Sequence, residues 1–118
     1  MAQRDKIHDI NFRQTVRRLL EERATWYNQS PSSNIKTYPV FDSEHDHYLL
    51  LDVGRENNKR VRSIVVYVRL EEDKIWVEED WTDESIADAL VEAGIPKSNI
   101  VLGFKPPELR PFTQFATS

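Results

Sequence analysis

Glu44-His45-Asp46-His47 is the segment whose residue types and spacing best fit metal chemistry. If it is extended, His45 and His47 point to one face, two residues apart, with acids beside them. Zinc needs three or four converging ligands, and the remaining histidine, His8, is remote in sequence. A polar turn entering a strand accounts for the same residues without a metal. Asp52 with Glu72-Asp73-Lys74 has the residue types of metal-dependent nucleases, in which two acids share a metal beside a lysine. Here Glu-x-Lys falls across an expected hairpin turn, and charged turn residues explain it better. No serine sits on a Gly-flanked elbow, and the three glycines are isolated, so neither a nucleophilic triad nor a phosphate-cradling loop stands out. Arg55, Lys59, Arg60 and Arg62 form one basic cluster. Four cations would hold nucleic-acid phosphates weakly and with steep salt dependence; a solvated hairpin turn explains them better. The expectation is no catalytic residue, no metal ligand and no cofactor.

Composition narrows the setting. The 118 residues suit a single domain, 1–118, with one core. Charged residues are 31% and apolar residues 39%, which fits a folded globule rather than a disordered chain. Without cysteine there is no disulfide framework and no thiol nucleophile. No apolar run reaches the roughly 18 residues of a membrane span, and the first residues lack the apolar stretch of a signal peptide. A cytoplasmic protein with no membrane contact is expected. Charge is segregated. Residues 1–62 hold 11 Lys/Arg and 9 Asp/Glu, whereas residues 71–92 hold ten acids and one base, Lys74. A surface that acidic repels phosphates.

Periodicity supplies the elements that must position these side chains. Phe12, Val16, Leu19, Leu20 and Tyr27 form an apolar stripe of period 3.6 and predict a helix over 8–27. Pro31 lies in the polar loop that follows. Strands are expected at 35–41, 47–53, 61–70 and 74–79, joined by short polar turns as an antiparallel meander, with Pro39 marking an edge. Thr82 is positioned to cap a second helix ending near Ala93, before the stop signal Gly94…Pro96. A short strand, 100–104, and a Pro-punctuated tail with Phe112 and Phe115 as anchors complete the chain. The fold class is α+β: a long N-terminal helix and a second helix packed on a mainly antiparallel twisted sheet of four to five strands.

Trp26, Trp76, Trp81, Tyr38, Tyr48 and Tyr67 are expected mostly in the core. The strand at 61–70 is apolar on both faces, with Ile64, Val66 and Val68 on one side and Val65 and Tyr67 on the other. Two helices cover one face of such a sheet. The other face calls for a second subunit, hence a two-fold homodimer, or for the tail acting as a lid.

One ordered set of residues carries a resemblance. It runs through Phe41-Asp42, Asp46-His47-Tyr48, Asp52-Val53-Gly54, Lys74-Ile75-Trp76-Val77, Asp80 and Thr82. It continues through Ile86-Ala87, Leu90, Gly94-Ile-Pro-Lys97, 100–104, Pro106-Pro107, Arg110 and Thr113…Phe115-Ala116. In this order the chain resembles the XisI family, the excision controlling factors of a cyanobacterial DNA element. Asp73 stands where that pattern has Gly, and Lys105 where it has His. The resemblance implies a regulator that acts with a companion protein, XisH, while a separate recombinase cuts and rejoins the DNA. Two further readings stay open: a DNA-binding accessory factor using the basic 55–62 cluster, and a small metal-dependent enzyme centred on His45 and His47.

Overall fold

The computed structural model describes residues 2–30 and 33–118, with side chains from Phe12 onward. Helix α1 (Ala2–Tyr27) leads into strands β1 (Ile35–Asp42), β2 (His47–Glu56), β3 (Lys59–Glu71) and β4 (Lys74–Asp80). Helix α2 (Ile86–Glu92) and strand β5 (Ile100–Leu102) follow, and the tail contains a short helical turn at Pro107–Phe112. The sheet order is β1-β2-β3-β4-β5, antiparallel except for the β4–β5 pair. The last strand must be parallel, because α2 carries the chain back across the sheet before β5 begins. His8 and Pro31 lie outside the described side chains.

Two hairpins are tighter than the sequence indicates. Asn57 and Asn58, at φ 53° and 64°, turn β2 into β3, and Glu72 and Asp73, at φ 50° and 62°, turn β3 into β4. Two consecutive left-handed residues match the twist of the flanking strands. The second strand, expected to end at Val53, continues through Gly54 to Glu56. The role of Gly54 is a close approach: a Cβ there would sit 2.0 Å from the Asn34 carbonyl oxygen, where the loop after α1 enters β1.

Both helices pack on one face of the sheet. The stripe Phe12, Val16, Leu19, Leu20 and Ala24 meets Tyr48, Leu50, Val66, Val68, Ile75 and Val77, and Ile86, Ala87 and Leu90 of α2 close the same core. A salt-bridged latch joins α1 to the β1–β2 turn. Arg13 donates from Nε and Nη2 to the Asp46 carboxylate at 2.8 and 3.0 Å, and the Tyr48 hydroxyl donates to it at 2.7 Å.

The second helix starts later than expected. Ser85, not Thr82, caps α2 by accepting from the Asp88 N–H at 3.2 Å. The Asp80 carboxylate, at the end of β4, takes the Ile86 N–H at 2.8 Å. Thr82, Asp83 and Glu84 therefore form the turn before the helix, and Asp88 is the acid of its first turn, near its positive end.

Candidate functional site

The metal and nuclease constellations come apart in three dimensions. His45 is in the β1–β2 turn rather than on an extended segment, and its Nδ1 meets Asp42 Oδ2 at 2.8 Å. Its hydrogen bonds hold the Asp42 carboxyl below the usual carboxylate range. His47 begins β2 and pairs its Nδ1 with the Tyr67 hydroxyl at 2.7 Å. The two imidazoles thus serve different partners. Asp52 faces the helices and accepts from the Thr37 hydroxyl at 2.7 Å. It lies across from Ser63, whereas Glu72-Asp73-Lys74 turns the chain at the far end of β3, beyond Glu71. Among the described residues no three His, Asp or Glu side chains converge as a metal would require.

What the strands assemble is a surface. Register sets which side chains share the outer face, away from the helices. A bulge leaves Val65 without a partner between the pairs Leu50–Val66 and Leu51–Ile64. That extra residue reverses the alternation. Ile64 therefore turns outward instead of joining Val66 and Val68, while Val65 packs toward the core. This corrects the expected faces of β3 and leaves Ile64 and Tyr67 on the outside. Tyr38, Val40 and Val53 from β1 and β2 are exposed beside them.

The basic cluster belongs to the same surface. Arg55 pairs directly across from Arg60, and Val53 from Arg62, so these three arginines share the outer face with Lys36, the partner of Val53 on β1. Lys59 pairs with Glu56 and takes the opposite side of the hairpin. None of Arg55, Lys59, Arg60 or Arg62 is ion-paired among the described residues, and all are exposed. The opposite end of the outer face carries both signs: Arg69 is ion-paired to Glu71 at 2.6 Å and to Glu78 at 3.5 Å, with Lys74 across from Glu71, and Glu79 lies across from Tyr67, nearer Ile64 and Arg62. Burial opposes the charge of Arg69, but its hydrogen bond to Glu71 and the negative charges of Glu78 and Glu71 together outweigh it and strengthen its hold on its proton.

The aromatic side chains correct the expectation of a tryptophan core. Only Tyr48 of the six is buried; Trp26 is 64% exposed and Trp81 75%. Trp76 is half-buried on the outer face, with the guanidinium groups of Arg69 and Arg110 over its ring at 4.6 and 5.4 Å. The tail anchors divide in the same way. Phe115 packs against the core, while Phe112 is 86% exposed. The tail is a strap on the β5 edge rather than a lid: Ala116 donates its N–H to Ile100 O at 2.8 Å, and Arg110 reaches Lys105 O at 3.1 Å.

A family model described as XisI protein matches residues 5–117. The chain belongs to the XisI family. Two solved XisI structures from Anabaena variabilis ATCC 29413 have the same fold. One, a XisI-like protein, is 26% identical with a TM-score of 0.84, covering 93% of this chain and 99% of that one. The other, the fdxN element excision controlling factor XisI, is 33% identical with a TM-score of 0.81, covering 94% and 99%. A search of the curated proteins finds no match. The residues that made the sequence resemble XisI are largely joints of the XisI scaffold. Asp46 and Tyr48 form the latch, Gly54 admits the incoming loop, Asp80 holds α2, and Arg110 ties down the tail. None of the described helices is long and apolar enough to cross a membrane.

Proposed function

We propose that this chain is a non-enzymatic controlling factor in programmed excision of a DNA element, acting by binding a XisH-like companion rather than by cutting DNA. One observation carries the reading. A protein named as an excision controlling factor shares 33% of its residues and nearly its whole length with this chain. The separation of the histidines and of the Asp52 and Lys74 groups supports it, since a hydrolase needs such groups within reach of one reacting centre. The tagged chain, mixed with purified XisH-like companion at micromolar concentration, is expected to retain it on a column. Two folded proteins that pass through separately contradict the reading.

A second reading has one observation in its favour: Arg55, Arg60 and Arg62 share an exposed face with Lys36. As a DNA-binding accessory factor, the chain would bind element-end duplex at low salt, where phosphate contacts are strongest. Arg60→Glu with Arg62→Glu would weaken that binding. Absence of binding at low salt removes this reading and leaves the first intact.

A further inference from the structure

We propose that the open edge of β3, from Arg60 to Ile64, receives an extended segment of the partner protein as an added strand, with acidic side chains opposite Arg60 and Arg62 and an apolar one opposite Ile64. The inference rests on the reading of this chain as a partner-binding controlling factor, and says where and how the partner is held.

The edge follows from the register. Pairing of β3 with β4 ends at Val66–Asp80, and the chain departs there, the Trp81 N–H donating to Val65 O at 2.9 Å. Beyond that point Lys59–Ile64 is paired with β2 alone. The two-residue turn at Asn57-Asn58 fixes which backbone groups face where. Its closing pair, Glu56–Lys59, exchanges both hydrogen bonds, and the exchange recurs at every second pair, Gly54–Val61 and Asp52–Ser63. Arg60 and Arg62, between them, turn both N–H and C=O away from β2, and Ile64 turns its N–H the same way. Among the described residues no group hydrogen-bonds to them from that side.

The outer strands are treated differently. Ser33 Oγ engages both backbone groups of Ile35 at 3.2 Å, and the Asn28 side-chain amide engages both groups of Thr37. Pro39 has no N–H, and on β5 the tail's Ala116 takes Ile100 O. The stretch of β3 past the end of β4 is thus left as a template for a further strand.

Charge selects the occupant. Arg60, Arg62 and Ile64 are exposed on the outer face, with Arg55 across from Arg60; Glu56 and Lys59, at the turn, take the other side. Beside Ile64 the sign reverses, because Asp52 and Glu79 line the same hollow as Ile64 and Trp81. A second copy added antiparallel through these three residues would set Arg62 against Arg62, and like charges directly opposite destabilise a strand pair. Acids facing Arg60 and Arg62 gain at both positions. An acid facing Ile64 would meet Glu79, so that position is apolar, and Trp81, 75% exposed, offers it an apolar wall. Phosphates of a duplex could engage the same guanidinium groups. The open carbonyls of Arg60 and Arg62 call for donors, which a peptide backbone supplies and a phosphate does not.

The test is amide hydrogen exchange, followed by NMR on the isotope-labelled full chain, with and without the purified XisH-like companion. In the free chain the Val61 and Ser63 amides should exchange slowly and those of Arg60 and Arg62 fast. Saturating companion should slow the latter pair at least tenfold. Arg62→Pro breaks no bond to β2, since that N–H faces away. It should weaken companion binding at least tenfold beyond Arg62→Ala, which keeps the backbone donor, with circular dichroism to verify folding. Should Arg62→Pro misfold, exchange in the unaltered chain decides. A companion that binds while the Arg60 and Arg62 amides stay fast overturns the inference and leaves the functional reading standing. A companion that does not bind removes both. Amides already slow in the free chain show a closed edge or a second copy on it, and overturn the inference. Slowing by element-end duplex but not by the companion assigns the edge to nucleic acid and overturns it as well.

Discussion

The side chain of Asn28 stands against Thr37 as a neighbouring strand would. Its Nδ2 donates to Thr37 O at 2.8 Å, and its Oδ1 accepts from Thr37 N at 2.9 Å. One amide at the end of α1 thus satisfies both free backbone groups of a buried edge residue and fixes where the loop after the helix rejoins the sheet. Asn28→Ala should destabilise the fold by about 1–3 kcal/mol, the usual cost of orphaned buried polar groups. Because the substitution also exposes an unpaired edge, it should increase concentration-dependent aggregation. Urea denaturation and light scattering measure the two effects separately. A variant as stable and as soluble as the parent would remove the edge-blocking role.

The Arg13–Asp46–Tyr48 latch predicts a pH dependence. Burial opposes ionisation of Asp46, but hydrogen bonds from Arg13 and Tyr48 outweigh it and hold its carboxyl below the usual carboxylate range. Burial and the same carboxylate push the Tyr48 hydroxyl above its ordinary value. A depressed carboxyl adds stability that is fully present above its unfolded-state value and is lost as pH falls through the folded one. Asp46→Asn keeps the left-handed backbone at φ 61°, which asparagine tolerates. It should cost about 1–2 kcal/mol at neutral pH. The gap between parent and variant should narrow as pH drops below about 4. A gap that is constant down to pH 2, measured by denaturant melts, would show that the charge of Asp46 is not what matters.

Arg110 holds the tail by stacking on Trp76 and donating to the carbonyls of Lys105 and Gly103. Arg110→Ala should release the segment after Gly103 while the helix-covered core stays folded. Chymotrypsin should then cut at Leu109 and Phe112 several-fold faster, followed by mass spectrometry. The loss in global stability should be about 1 kcal/mol, the scale of a partly exposed cation–π contact. Unchanged cleavage would mean that the tail is secured without Arg110, by the bridge at Ala116, the Lys97–Gln114 hydrogen bond and the packing of Phe115.

Much of this fold was legible because periodicity is local. The α1 stripe and the alternation of Ile75 and Val77 on β4 can be read from the residues themselves. An uncovered second face was legible from the strand at 61–70, but the residues that form it and the contacts along the sheet edges were less accessible. Nothing in Val61–Leu70 marks Val65 as the extra residue of a bulge; its position depends on how β2 pairs with β3, and it alone decides which face Ile64 takes. Asn28 and Ser33 read as loop composition, since their partners are backbone groups of a strand not yet placed. The tryptophans misled because burial is a tendency of type, whereas Trp26 and Trp81 sit where α1 ends and where β4 leaves the sheet. The basic cluster was found correctly as a group, but its division between two sides of the hairpin needed the register. The histidine pair failed because the condition it rested on, an extended segment at residue 45, is not met.

Control of excision without catalysis is the claim on which the account depends. It is tested most directly by counting rejoined element junctions with quantitative PCR. The cells should carry the element, the recombinase and the XisH-like companion but lack a XisI protein of their own. Supplying this chain should raise the junction count, and His45→Gln with Asp52→Asn should raise it equally if the chain acts without catalysis. A count that does not respond to the chain, or that collapses in this variant while the variant remains folded, would contradict the account.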